Sequence, residues 1–203
     1  AAGRDKLSLL MSEAIRPFGA WLEQLVAEST GKQGRGILPV PEESPLAETA
    51  LGPDRFYAVL RLDGDAGLDA DIRELADRGL PHVVLPVADR YGLGGQFFLW
   101  EVATAVAGHL LGVNPFDQPN VETAKAAARD MIRAFKERGA FPADGPAVRE
   151  SVISLFGAGP FAGVAEGLRG FLEAGRPGDY VALLAFLPPA AETEDRLRRL
   201  TAA

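Results

Sequence analysis

The sequence predicts an α/β fold in three layers, with a mostly parallel sheet flanked by helices. Two observations predict it. Short apolar runs at Arg55–Leu62, His82–Val87 and Tyr180–Leu187 alternate with longer stretches of helical periodicity, the order that a parallel sheet with crossover helices requires. The chain has 203 residues, 47% of them hydrophobic, enough to fill one core. Residues 1–203 therefore read as a single domain, with a long N-terminal helix and turn over 1–35 and an α/β body over 36–203.

Leu7, Leu10, Met11, Ile15, Phe18, Leu22 and Leu25 recur at helical steps, which predicts one amphipathic helix over residues 5–28. Pro17 falls inside it as a potential kink, and Gly31 is expected to close it in the left-handed conformation. Pro39, Pro41, Pro45 and Pro53 mark a long loop. Arg55–Leu62 reads as a strand and Leu68–Arg78 as a helix. His82–Val87 is short and wholly apolar apart from its histidine, the pattern of a strand buried on both faces. Leu93–Leu111 is apolar almost all round and should sit in the core. Pro119–Arg138 is an amphipathic helix, and Phe141–Pro146 a break. Ser151–Leu155 reads as a short strand, Phe161–Leu172 as a helix, Tyr180–Leu187 as a strong strand, and Thr193 onward as a helix.

Composition excludes several classes of function. No cysteine is present, so disulfides and thiolate metal sites are ruled out. Two histidines, His82 and His109, offer little to a zinc or iron site. A formal net charge of −7 without a basic block argues against nucleic acid. The apolar runs fall short of the about 20 residues a membrane span needs. The chain starts at Ala1 and stops within the helical pattern Arg198–Ala203, which reads as a segment of a longer polypeptide.

The polar residues Gln118, Glu122, Lys125 and Arg129 recur at helical intervals, while Val121, Ala124, Ala128, Ile132 and Phe135 form an apolar stripe expected to pack inward. Pro119 suits the first turn, and Asp117 or Gln118 can cap it. Free N–H groups at such a helix start favour an anion, for instance a sugar phosphate. On spacing alone, the first reading is a solvated face with a Glu122–Lys125 pair worth about 0.2–0.5 kcal/mol. Glu101 is the only charged residue of Leu93–Leu111; it reads as a structural partner, with function as the alternative. Gly92-Leu93-Gly94-Gly95 could cradle a phosphate, but a close helix–sheet contact explains it better. Asp63-Gly64-Asp65 reads as a turn before a metal or sugar site. His82 and His109 read as structural.

The stretch Gly108 to Lys125, GHLLGVNPFDQPNVETAK, resembles a signature of the glucose-6-phosphate isomerase (phosphoglucose isomerase) family. Phe116-Asp117-Gln118 and Val121-Glu122 fall in register, and Asn120 stands where the pattern has glycine. Trp21-Leu22-Glu23-Gln24 followed by Glu28-Ser29-Thr30-Gly31-Lys32 resembles a second family motif, a helix ending in Glu-Ser-x-Gly-Lys. The wording ESTGKQGRGILPV and NPFDQPNVE is similar to the isomerase part of bacterial transaldolase/phosphoglucose-isomerase fusion proteins.

The resemblance implies a C-terminal sugar-isomerase (SIS) domain of flavodoxin-like architecture. It implies interconversion of glucose 6-phosphate and fructose 6-phosphate through ring opening and a cis-enediol, without metal or organic cofactor. It places the active-site lysine at Lys125 and a substrate-binding glutamine at Gln118. The catalytic base and the phosphate-binding loop stay unassigned. Expected partners are the phosphorylated hexoses, the remaining segments of a larger isomerase polypeptide and a second copy in a homo-oligomer, in the cytoplasm. The alternatives are a non-catalytic phosphosugar-binding module and a structural half of a larger transaldolase/isomerase polypeptide.

Overall fold

A computed structural model describes residues 3–41, 52–117, 119–141, 145–157, 159–176, 179–188 and 190–201. The chain divides into two compact units, Ala1–Glu122 and Thr123–Ala203.

The first unit is built on four parallel strands: β1 (Lys6–Met11), β2 (Leu38–Pro41), β3 (Arg55–Leu62) and β4 (His82–Val87), in the spatial order β2-β1-β3-β4. This is the beginning of the flavodoxin-like doubly wound order, with its switch between β1 and β3. Helices α1 (Phe18–Thr30), α2 (Asp69–Asp77) and α3 (Leu93–Leu111) follow β1, β3 and β4. Side chains alternate across a strand, and the two cores follow that alternation. Leu9, Ala58 and Leu60 pack with Phe18 and Leu22 of α1 and Trp100 of α3. Leu10, Tyr57 and Val59 pack with Leu68 and with Leu75 of α2. The sheet is therefore covered on both faces, as the three-layer expectation requires.

The predicted helix over 5–28 is overturned. Its first third is β1, the inner strand between β2 and β3, and its last part is α1. An inner strand buried on both faces carries a continuous apolar run, and Leu7, Leu9, Leu10 and Met11 mimic a helical stripe. Pro17 does not kink a helix; it is the N-cap residue of α1. Gly31 is not left-handed: its φ is −73°, and its role is proximity, since a Cβ there would meet the Ala27 carbonyl oxygen at 2.7 Å. The loop expected from Pro39 to Pro53 instead begins with β2, Leu38–Pro41, and its residues 42–51 lie outside the described residues.

β4 keeps its predicted bounds but is an edge strand, with Val83 and Val84 exposed. α3 also keeps its bounds, yet only one stripe is buried: Trp100, Thr104 and Gly108. Phe98, Leu99, Val102, Val106 and Leu110 are exposed. Phe97 of α3 closes an aromatic cluster with Phe18 and Trp21 of α1, at ring-centroid distances of 4.8 and 4.4 Å.

At the amino edge of the sheet, buried Lys6 lies 2.7 Å from Asp5 Oδ1 and 2.8 Å from Asp54 Oδ2. Hydrogen bonds to Asp5 and then Asp54 hold the Lys6 ammonium above its ordinary 10.5. The hydrogen bond from Lys6 holds Asp54 below its ordinary 3.8. A lowered folded pKa stabilises above the unfolded value and is lost as pH falls through the folded one; a raised pKa does the reverse at the alkaline end. The urea midpoint of the wild type should therefore fall more steeply than that of Asp54→Asn as pH drops from about 5 to about 3. Parallel curves would show that the cluster contributes nothing.

In the second unit, α4 (Pro119–Arg138), which starts in the first, leads to the antiparallel pair β5 (Val148–Glu150) and β6 (Ile153–Leu155). Helices α5 (Val164–Glu173) and α6 (Ala191–Thr201) follow. Gly167 of α5 lies directly against Leu155 of β6, where a Cβ would collide. Tyr180–Leu187, predicted as a strand, has no regular structure, and Tyr180, Leu184 and Phe186 are exposed. An apolar run becomes a strand only where a neighbouring strand pairs with it, and among the described residues none does.

Candidate functional site

The family-like segments meet at the carboxyl end of α3. Gly112 there has φ +72°, its N–H donates to the His109 carbonyl at 3.1 Å, and the Val113 N–H donates to the Gly108 carbonyl at 3.0 Å. This is a Schellman closure, which needs glycine at the left-handed position. Gly108 is required for another reason: a Cβ there would meet Pro115 Cδ at 2.9 Å. The chain then turns through Asn114, whose Oδ1 accepts the Phe116 N–H at 3.0 Å.

The second segment closes α1. Thr30 Oγ1, fully buried, donates to the Val26 carbonyl at 2.7 Å and accepts the Ile37 N–H at 3.0 Å. Lys32 and Arg35 exchange backbone hydrogen bonds across Gln33 and Gly34, which have φ of 56° and 71°. Two left-handed central residues make this a type I′ turn. The turn aims two cations at the end of α3. Arg35 Nη1 donates to the Leu111 carbonyl at 2.7 Å. Lys32 Nζ donates to the Asn114 carbonyl at 2.6 Å and to the Asp117 carbonyl, and pairs with Asp117 Oδ1 at 2.8 Å. The Lys32 side chain is 5% exposed. A buried ammonium costs several kcal/mol unless paired and hydrogen-bonded; here it has a carboxylate and two carbonyls. Cations also suit the negative end of a helix.

Of the predicted site residues, Lys125 is exposed on α4, as are Glu122 and Arg129. Gln118 lies outside the described residues. The apolar stripe of α4 does not pack inward as expected: Ile132 and Phe135 are exposed, and Phe135 stacks on Phe141 at 4.7 Å. Glu101 is exposed, so burial gives it no functional weight.

The turn before α3 is no phosphate cradle, because Asp89 Oδ1 already accepts the Tyr91 and Gly92 N–H groups at 2.8 and 2.9 Å. Gly92 instead permits a close contact, with Val87 Cγ1 at 3.3 Å from an added Cβ. Asp63–Asp65 is a turn, with Gly64 at φ +79°. The Ser12 hydroxyl, then the Gly67 amide, hold the Asp65 carboxyl below its ordinary value. His82 Nδ1 lies 2.8 Å from the Leu80 carbonyl, a structural contact. Among the described residues no group of three or more His, Asp or Glu could hold a metal, and no helix is long and apolar enough to cross a membrane.

Sequence reasoning quoted Lys32 as part of a motif but gave it no role, and missed Arg35. Their contacts span about 80 residues of chain, which no local periodicity reports. The available signal was that both cations sit beside glycines that the fold needs, Lys32 after Gly31 and Arg35 after Gly34.

No family model matches the chain. It is similar to a glucose-6-phosphate isomerase of Streptococcus pyogenes, 31% identical over 164 residues that cover 62% of this chain and 36% of that protein. A probable glucose-6-phosphate isomerase of Halobacterium salinarum is 33% identical over 157 residues, covering 60% of this chain and 37% of its own length. The chain is thus similar to glucose-6-phosphate isomerases, and spans little more than a third of the length of the curated relatives it matches.

Proposed function

We propose that this chain is the C-terminal SIS domain of a glucose-6-phosphate isomerase of the transaldolase-fusion type, acting in glycolysis and gluconeogenesis in the cytoplasm. The observation that carries this reading is the joint at Lys32. The two segments that resemble the family are held together there, through the Asn114 carbonyl at 2.6 Å and the Asp117 carboxylate at 2.8 Å.

In the proposed reaction, the Lys125 ammonium donates a proton to the ring oxygen as the hexose phosphate opens. Gln118 binds the substrate. A base then takes the proton from C2 of the aldose, and the cis-enediol is reprotonated at C1. No metal or organic cofactor enters. The remainder of the polypeptide and a second copy complete the enzyme.

The test is conversion of fructose 6-phosphate to glucose 6-phosphate by the complete protein, beside Lys125→Ala. The variant should lose about 10²–10⁴-fold in kcat, the usual worth of a positioned acid or base. Full activity in Lys125→Ala would remove the residue from the mechanism. Saturable binding of fructose 6-phosphate by an inactive wild type would favour a non-catalytic phosphosugar-binding module.

A further inference from the structure

We propose that Lys32 is a positioning residue for this reaction, a buried charged pin that fixes the approach to α4. The inference rests on the function proposed above. Three contacts converge on one ammonium from Asn114 and Asp117, the two ends of the turn that leads from α3 to Gln118 and α4. An ammonium has three N–H donors, and three acceptors use them all. Asp117 is held by both its carbonyl and its carboxylate, so its backbone and its side chain are fixed together.

The residue next in sequence is Gln118, and α4 begins immediately after it. Small errors in the placement of reacting groups cost turnover steeply, about 10²-fold for 1 Å. Arg35 supplies an internal control. It belongs to the same turn and is a cation too, but among the described residues it holds the Leu111 carbonyl at the end of α3 and neither Asn114 nor Asp117.

The experiment compares Lys32→Met, Arg35→Met and Asp117→Asn in the complete protein, at a temperature well below every melting transition. It reads kcat and KM for fructose 6-phosphate beside thermal stability. Lys32→Met should lose at least about tenfold in kcat and raise KM. Arg35→Met should lower the melting temperature while leaving kcat unchanged. Asp117→Asn, which keeps the size and an acceptor oxygen, should lose roughly three- to tenfold in kcat, and it decides the matter if Lys32→Met fails to fold. In the Lys32→Met background, Asp117→Asn should have little further effect on kcat.

Equal loss of melting temperature in Lys32→Met and Arg35→Met with wild-type kcat in both would overturn the positioning role and leave the isomerase reading standing. Wild-type kcat in Asp117→Asn would overturn it as well. An inactive wild-type protein would overturn both.

Discussion

Lys125→Ala in the complete protein is expected to lower isomerase turnover by about 10²–10⁴-fold, the range for loss of a general acid. The expectation is specific because the side chain is exposed on α4. Truncating an exposed side chain away from a core changes stability by about 0.5 kcal/mol or less, so a large kinetic loss would report chemistry. The loss should appear in kcat more than in KM, since proton donation to the ring oxygen matters in the transition state. Lys125→Arg keeps the charge but not the acidity, because a guanidinium holds its proton throughout the working range. It should remain impaired. Activity of Lys125→Arg near the wild type would instead point to simple charge stabilisation.

The largest stability effect is expected at Trp100. It is 8% exposed, and it joins α3 to Leu9, Phe18, Leu22 and Leu60 in the core that fixes α3 on the sheet. Trp100→Ala should cost about 3–5 kcal/mol, measured by urea unfolding of the first unit's transition. Trp100→Phe should cost much less. The indole Nε1 is buried without a hydrogen-bond partner among the described residues, so its removal relieves an unsatisfied donor. Phe98, two positions away and 69% exposed, should tolerate alanine within about 0.5 kcal/mol. A comparable loss at Phe98 would contradict the placement of α3.

These two positions illustrate what the sequence could and could not disclose. α3 was legible as a helix from Leu93 to Leu111, but its apolar perimeter gave no direction, and only packing selects Trp100, Thr104 and Gly108 as the inner stripe. β3 and β4 were legible from their length and composition. β1 was not, because an inner strand buried on both faces and an amphipathic helix share the same apolar spacing over six residues. β2 hid behind its two prolines, which an edge strand tolerates.

The site divides in the same way. Lys125 and Gln118 were read from a motif, and the motif's glycines proved to have concrete reasons, in the left-handed φ of Gly112 and the Pro115 contact of Gly108. The contact of Lys32 with Asn114 and Asp117 joins residues too far apart for periodicity to reveal. It emerges only once α1 and α3 lie side by side against the sheet.

The measurement that tests the central claim most directly is proton NMR of fructose 6-phosphate incubated with the complete protein in D2O. An isomerase working through a cis-enediol produces glucose 6-phosphate with solvent deuterium at C2, and Lys125→Ala should slow its appearance about 10²-fold or more. Unchanged fructose 6-phosphate after prolonged incubation with folded wild-type protein would contradict the account.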